Sequence, residues 1–253
     1  MENDFIYLYP YSRNEAKRLN QINLWRDSHK ENILCKKFIE DAIRRDFDGT
    51  HLKADCAESV IAAYGYKRVN WVLANTVKQQ DWNKDFSEDN KEWAKHPYIP
   101  PDKDSVYNQN YNLDFVMDSH PAVLDGFIYQ YRLAYQALGL FDFTNCELDS
   151  KYLNYEGKVL VLSQDILSES HWNPKNQLWL ATWGFGCDPN SSGRAVFATC
   201  LADGEKTRWN RADFTGILKE ALLPDWASEK LAELQKQQTS DSETAVMGGL
   251  EMK

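Results

Sequence analysis

The spacing of the apolar residues changes once along the chain, and this change constrains the fold more than any motif does. In the first half, apolar residues recur at helical spacing, as in Cys35, Phe38, Ile39, Ala42 and Ile43. In the second half, β-branched and aromatic runs replace that spacing: KVLVL over 158–162, LWLATWGF over 178–185 and RAVFATCL over 194–201. The order predicts an α+β fold, with a mainly helical N-terminal domain followed by a small antiparallel β-meander domain with C-terminal helices.

The domain boundaries are predicted from the points where the spacing stops. Residues 1–141 are assigned to the helical domain, and 142–156 carry no period and are predicted to be a linker. Residues 157–236 are assigned to the α+β domain. The polar tail over 237–253 is predicted to be disordered.

Caps and turn residues place the elements of the first domain. Residues 5–11 read as a strand or an extended segment, and Asp48-Gly49 ends the first long helix. Ser28 is either the N-cap of a capping box or part of a longer helix that begins near residue 21. The later helices are predicted over 57–64, over 69–77, over 87–95 and from a cap at Ser119 to Gly139.

Turn residues also organise the second domain. Asp203-Gly204 predicts a hairpin turn after the run over 194–201. A helix is predicted over 213–222, and a last helix follows Pro224.

The charge is acidic and unevenly placed. The chain carries a net charge of −9, and ten acidic against four basic residues give −6 between positions 81 and 125. An acidic surplus argues against general nucleic-acid binding, because phosphate contacts require lysine and arginine. The segment either attracts a basic partner or is only a solvated face of an acidic protein. The ten acids are Asp81, Asp85, Glu88, Asp89, Glu92, Asp102, Asp104, Asp114, Asp118 and Asp125.

Composition also bears on location. No apolar run approaches the roughly 20 residues that span a bilayer. The first residues, MEND, are acidic where a signal peptide is basic. Five scattered cysteines without a CxxC pair are typical of reduced thiols. The sequence therefore predicts a cytoplasmic protein that does not enter a membrane.

The glycine-rich stretch GFGCDPNSSGR, over 184–194, raises the question of a phosphate-binding loop. Its glycine spacing matches neither GxGxxG nor the Walker pattern. The run that follows it reads as a strand, whereas a phosphate loop opens a helix whose N–H groups face the anion. We interpret the stretch as a rigid connection between strands, whose exposed Arg194 is free to contact a partner.

Two groups of residues are candidates for catalysis or metal binding. Cys187 would need a base such as His171 to act as a nucleophile. Asp48, His51, Asp55 and Cys56 are potential ligands, but zinc sites usually pair such residues in tighter couplets. Ser119-His120-Pro121 is explained by a helix start, and Trp209 is expected to be buried between exposed Arg208 and Arg211. We therefore predict no catalytic residues, no metal and no cofactor.

Long stretches of the chain resemble known families. FIYLYPYSRNEAKRLNQINLW, DCAESVIAAYGYKRVNWVLANTV, NKEWAKHPYIP and MDSHPAVLDGFI resemble a bacterial domain-of-unknown-function family, over about 5–135. QLWLATWGFGCDPNSSGRAVFATCL and the residues after it, within about 157–235, are similar to a module that often accompanies it. The resemblance implies a protein of mobile genetic elements of gut Gram-positive bacteria, often encoded near anti-restriction genes. It implies no catalytic residues.

These observations predict a non-enzymatic, acidic accessory protein that inhibits a host defence nuclease of the CRISPR or restriction type, by imitating nucleic acid. A cysteine- or metal-dependent enzyme and a scaffold or regulator of conjugative transfer remain the alternatives. The predicted partner is a host protein, with no direct non-specific DNA binding. The predicted partner-binding residues are Asp81, Asp85, Glu88, Asp89, Glu92, Asp102, Asp104 and Arg194.

Overall fold

The chain forms two compact units that divide between Ala137 and Leu138. The structure is a computed structural model that describes residues 5–234 and 236. Helices in the first unit and antiparallel strands in the second confirm the α+β class. The predicted linker over 142–156 is part of the second unit, because Cys146 and Tyr155 are buried in its core. The tail predicted to be disordered, 237–253, lies outside the described residues.

Five helices build the described part of the first unit, residues 5–137. They are α1 (Arg13–Arg18), α2 (Ile22–Asp46), α3 (Cys56–Gln79), α4 (Glu88–Lys95) and α5 (Pro121–Ala137). A small hairpin of β1 (Lys103–Asp104) and β2 (Gln109–Asn110) and a 3₁₀ turn over Tyr111–Phe115 lie between α4 and α5. The sequence predicted α4 but not this hairpin.

Helical spacing explains the core of the first unit. Cys35, Ile39, Ala42 and Ile43 line the buried stripe of α2, whereas Phe38 at its margin is 37% exposed. They pack with apolar residues of α3 and α5 in one cluster. Burying each large aliphatic or aromatic side chain contributes about 1.5–3 kcal/mol, so this cluster holds the helices together.

Several helix boundaries differ from the predicted ones. α2 begins at Ile22, so Ser28 lies inside the helix, where its Oγ accepts from the Tyr9 N–H. Gly65 has φ 75° and ψ 163°, which kinks α3 where two separate helices were predicted. Ser119 does not cap α5, because His120 directly precedes it and accepts from the Ala122 N–H through Nδ1. Residues 5–11 form no strand.

A five-stranded antiparallel sheet organises the second unit. Its strands are β3 (Val159–Leu162), β4 (Leu178–Trp183), β5 (Ala195–Cys200), β6 (Lys206–Asn210) and β7 (Phe214–Ile217), in the order β6-β5-β4-β3-β7. Strands β3 to β6 make the predicted meander, and β7 pairs with β3 at the opposite side. A short helix α6 (Pro174–Gln177) precedes β4, and helix α7 over 225–234 follows the sheet.

The predicted helix over 213–222 is wrong. Phe214–Ile217 form strand β7, and Glu220–Leu222 make only a 3₁₀ turn. The apolar residues of this segment are spaced for a helix, but pairing with β3 buries Phe214 and Ile217 and satisfies the backbone of β3. Tertiary pairing overrides the local pattern.

Both faces of the sheet are covered by apolar residues over much of its area. One cluster includes Trp179, Val196 and Phe214, and the other includes Leu178, Leu180 and residues of α7. Within the part of the chain that the structure describes, no helix combines the length and apolar character needed to cross a membrane.

Candidate functional site

Five carboxylates of the acidic segment are exposed around α4. Ser87 caps this helix by accepting from the Asn90 N–H through Oγ, and Asp125 in turn accepts from both the N–H and the Oγ of Ser87. These contacts fix α4 and leave its acidic residues facing solvent. The exposed carboxylates are Asp81, Asp85, Glu88, Asp89 and Glu92, which we call the acidic surface.

The lysines nearby only partly balance this surface. The Nζ of Lys91 lies 3.1 Å from Glu88, but the Lys91 side chain is 12% exposed against 90% for Glu88. Lys95 bonds to Glu92 at 2.7 Å. Its pKa is raised by that hydrogen bond, and the charges of Asp81 and Glu88 add to the effect. Asp81, Glu88 and Glu92 are therefore close enough to one another to act on the same lysine. With Lys84 included, five acidic and three basic side chains give residues 81–95 a net charge of −2.

One large side chain interrupts the acidic surface. Trp82 follows Asp81 directly and is 79% exposed. Tryptophan is enriched among the residues that dominate protein interfaces. The combination of carboxylates with an exposed indole is suited to docking on a basic protein surface.

Two predicted partner-binding carboxylates are buried instead. Asp102 accepts from the Arg13 N–H through both oxygens and from the Trp25 indole N–H. Asp104 bonds the Arg13 guanidinium at 3.0 Å and accepts from the backbone N–H groups of Val106 and Tyr107. Their oxygens hold α1 to the hairpin, so we leave both residues out of the acidic surface.

The remaining carboxylates of the acidic segment bond to other elements of the first unit. Asp114 lies 3.0 Å from the Nε2 of His29, and Asp118 lies 2.9 Å from the Nζ of Lys36. Asp125 holds Ser87 and Asn90. Asp114 and Asp118 are exposed and paired with a neighbouring helix, whereas Asp125 is half-buried.

A small cavity lies beside Asp102. Its volume is about 20 Å³, room for one water molecule, and Trp25, His29 and Asn112 are among its lining residues. Burial raises the pKa of Asp102, although the hydrogen bonds from Arg13 and Trp25 oppose this. The cavity is too small for an organic substrate.

The residues around positions 46–56 form a turn rather than a ligand set. Asp48 accepts from the backbone N–H groups of Thr50 and His51 and from the Thr50 hydroxyl. These bonds lower its pKa to about 2. Cys56 is buried, which raises its pKa to about 12. Within the described ranges, 5–234 and 236, no group of three or more His, Cys, Asp or Glu side chains is arranged to hold a metal ion.

The stretch over 184–194 connects β4 to β5, as interpreted from the sequence. It begins with a 3₁₀ turn over Phe185–Cys187. A Cβ at Gly184 would overlap the carbonyl oxygen of Ala195, and one at Gly186 would overlap that of Arg194. The glycines therefore allow two backbone segments to touch, which leaves no space for a phosphate.

Cys187 in this loop is buried, and burial raises its pKa. The imidazole of His171 bonds to the hydroxyls of Ser168 and Ser170 instead. A nucleophilic thiol requires a lowered pKa and access to substrate. Cys187 has the opposite environment.

Arg211 is buried against the same loop and stabilises it by hydrogen bonds. The sequence predicted this side chain to be exposed. Its guanidinium donates to the carbonyl oxygens of Gly186 and Cys187 and lies 3.7 Å from the centre of the Tyr155 ring. Arg208 is exposed, as expected, whereas Trp209, which was expected to be buried, is half-buried. Arg194, predicted to contact a partner, is also exposed.

Sequence reasoning missed a row of side chains on the sheet. Trp183, Phe197 and Arg208 lie on adjacent positions of β4, β5 and β6. The rings of Trp183 and Phe197 stack at 4.2 Å and 5°. A bulge at Thr182 turns Trp183 to this face, and strict alternation along β4 gives no sign of it. The LWLATWGF run was the available signal, since it ends in aromatic residues.

Comparison with known proteins identifies one family. The model described as "Protein of unknown function (DUF3849)" matches residues 8–136. This confirms the resemblance to a domain-of-unknown-function family in the N-terminal part, while the companion module of the C-terminal part stays a prediction. No curated protein and no solved structure matches the chain significantly.

Proposed function

We propose that this chain, which belongs to the DUF3849 family of proteins of unknown function, is a non-enzymatic binding protein that inhibits a nuclease by occupying its nucleic-acid-binding surface. The acidic surface carries the proposal. Its five carboxylates are exposed, and in the proposed complex they take the place of phosphates in a basic channel. Trp82 supplies the apolar anchor that a charged rim alone lacks.

The proposed partner is a host defence nuclease of the CRISPR or restriction type, met in the cytoplasm. The resemblance to proteins of mobile genetic elements supports this choice, because such elements must survive those nucleases. Nucleic-acid channels are lined by lysine and arginine, and binding there displaces counterions as DNA does. Inhibition is therefore competitive with DNA and weakens as salt is added.

Among the described residues, no thiol is accessible to a substrate, as a cysteine-dependent enzyme would require. All five cysteines are buried, and the cavity beside Asp102 holds no more than a water molecule. A cysteine-dependent hydrolase needs an accessible thiolate next to a base. These features favour binding over catalysis.

The test reverses four carboxylates of the acidic surface together: Asp85→Lys, Glu88→Lys, Asp89→Lys and Glu92→Lys. A panel of purified CRISPR and restriction nucleases is assayed for DNA cleavage with the native chain and the variant. We expect the native chain to inhibit one class, and the variant to lose at least about tenfold in affinity, chiefly through slower association.

A matched control reverses four exposed carboxylates of the second unit: Glu156→Lys, Glu220→Lys, Glu229→Lys and Glu233→Lys. The control changes the net charge by the same amount and should inhibit as the native chain does. Equal inhibition by the native chain and the acidic-surface variant would show that mimicry by these carboxylates is wrong.

A further inference from the structure

The two edges of the sheet in the second unit differ in how they are covered. Beyond β7, the Glu147 N–H donates to the Ile217 carbonyl, and the Lys219 N–H donates to the Asn145 carbonyl. Beyond β6, no strand or loop pairs within the part of the chain that the structure describes. Open edges offer unpaired backbone groups to another chain.

The register shows which backbone groups of β6 are open. The Arg211 N–H donates to the Arg194 carbonyl, and the Cys200 N–H donates to the Glu205 carbonyl. Antiparallel pairing alternates, so the odd-numbered residues of this strand bond to β5. Lys206 and Arg208 therefore direct their N–H and C=O groups away from the sheet.

The side chains along this edge are basic. Lys206 and Arg208 are exposed, as is Arg194 beside the end of β6. None of the three forms an ion pair among the described residues. The second unit as a whole has eleven basic and seventeen acidic residues, a net charge of −6, so this edge is a local exception.

Two aromatic side chains, Phe197 on β5 and Trp183 on β4, lie beside the basic edge, and we call them the apolar shelf. Phe197 is opposite Arg208, and Trp183 is opposite Phe197, so the three side chains share a face of the sheet. Trp183 is 58% exposed. The next row toward the loop is Ala195 opposite Asn210, so a small apolar side chain follows Phe197 on this face and an exposed amide follows Arg208.

The bulge in β4 creates this shelf. Ala181 pairs with Ala198, but Trp183 pairs with Phe197, so Thr182 is the extra residue. The Thr182 hydroxyl donates to the Phe197 carbonyl and holds the bulge in place. Without it, Trp183 would point to the other face, toward Val196. An aromatic side chain is thus placed in solvent two strands away from the open edge.

We propose that the edge of β6 binds an extended acidic segment of a partner protein by strand addition. Backbone groups of the segment pair with Lys206 and Arg208. Carboxylates of the segment lie opposite these two cations, and an apolar side chain two positions further on packs over Ala195 against Phe197. A peptide is favoured over a nucleic-acid strand, because only a peptide backbone supplies the alternating N–H and C=O groups that pair with Lys206 and Arg208. This surface is separate from the acidic surface and does not rest on the proposed inhibition.

The test uses the full chain and a synthetic peptide of sequence Phe-Thr-Glu-Thr-Glu-Thr-Phe, which reads the same in both directions. We expect weak binding, with chemical-shift changes at Lys206, Arg208 and the Trp183 indole. The Lys206 and Arg208 amides should also become protected from hydrogen exchange. Arg208→Glu should weaken binding by about tenfold, since it replaces an opposite-charge pair by a repulsive one.

The controls separate this proposal from others. Lys158→Glu makes the same charge change at an exposed position next to β3 and should bind as the native chain does. The peptide with lysine in place of glutamate should not bind. Equal binding of both peptides, or binding of neither, would overturn the proposal. Binding of oligothymidine in place of the acidic peptide, lost in Arg208→Glu and Trp183→Ala, would assign the surface to single-stranded nucleic acid.

Discussion

At the residue scale, burial separates side chains that look alike in the sequence. Asp89 and Asp102 both belong to the acidic segment, but Asp89 faces solvent and Asp102 holds Arg13 and Trp25. Arg208 and Arg211 lie three positions apart, yet Arg208 is exposed and Arg211 bonds four carbonyl oxygens. Charge alone does not identify a binding residue; its internal partners must be known.

The cysteines give a direct test of the enzymatic alternative. Burial raises the pKa of Cys35 and Cys56 to about 12 and that of Cys146 to about 11, and it also raises the pKa of Cys187 and Cys200. At pH 8 we expect native protein to react with iodoacetamide at least about a hundredfold more slowly than urea-unfolded protein, whose thiols have pKa values of about 8.5.

The same shifts set a pH dependence of stability. The thiols are held neutral in the fold, so their contribution is complete below pH 8.5 or so and is lost as the pH rises toward their folded pKa values. The free energy of unfolding should therefore fall between about pH 9 and 12. Rapid labelling of Cys187 in the native protein at pH 8, located by mass spectrometry, would contradict the raised pKa of this thiol. It would favour Cys187 as a catalytic nucleophile.

At the element scale, two glycines differ in whether the backbone around them requires glycine. Gly184 has φ 128° and ψ 152°, a conformation that other residues adopt only with strain, and its missing Cβ makes room for the Ala195 carbonyl. Gly126 lies exposed within α5 with open space around it. The first glycine is required by geometry. The second only weakens a helix.

Alanine substitution at each should change stability in opposite directions. Gly184→Ala should lower the free energy of unfolding by about 2–3 kcal/mol through strain and overlap. Gly126→Ala should raise it by up to about 1 kcal/mol, because alanine favours the helix. Urea unfolding followed by circular dichroism measures both. A neutral Gly184→Ala would mean that the β4–β5 connection is not held as described.

Elements with strong local signals were predictable from the sequence. The stripe of α2, the Ser87 cap of α4 and the Asp203-Gly204 turn all depend on residues close in the chain. β7 was not predictable, because its conformation is decided by β3, more than fifty residues earlier. The bulge at Thr182 depends in the same way on β5.

The candidate sites also divide into features set by residues close in the chain and features set by distant residues. The exposed members of the acidic surface were predicted, because charge density is a local property. The burial of Asp102 and Asp104 depends on Arg13, which lies in α1, far away in sequence. The row of Trp183, Phe197 and Arg208 is assembled from three strands and exists only in the sheet.

At the scale of the whole molecule, the two units carry surfaces of opposite character. The first unit presents the acidic surface with Trp82, and the second presents a basic edge with Trp183. The matched family model covers residues 8–136, which lie within the first unit. The proposed inhibition of a nuclease and the proposed capture of an acidic segment therefore rest on different units and can be tested separately.

Separability requires that each unit hold its own fold. The first unit has a continuous buried cluster drawn from α2, α3, α4, α5 and the segments between them. The clusters of the second unit are drawn from its own sheet, the segments around it and α7. Among the described residues, each cluster is drawn from its own unit alone. We therefore expect a fragment of residues 1–137 to fold alone.

The fragment should unfold in urea in one cooperative transition, with a slope of about 1–3 kcal/mol per molar urea, as for a domain of its size. Its near-ultraviolet circular dichroism should show fixed tryptophan and tyrosine environments, and it should retain whatever nuclease inhibition the whole chain has. A fragment that lacks a cooperative transition would show that the second unit is needed to complete the first. A folded fragment without inhibition would instead place part of the inhibitory surface beyond residue 137.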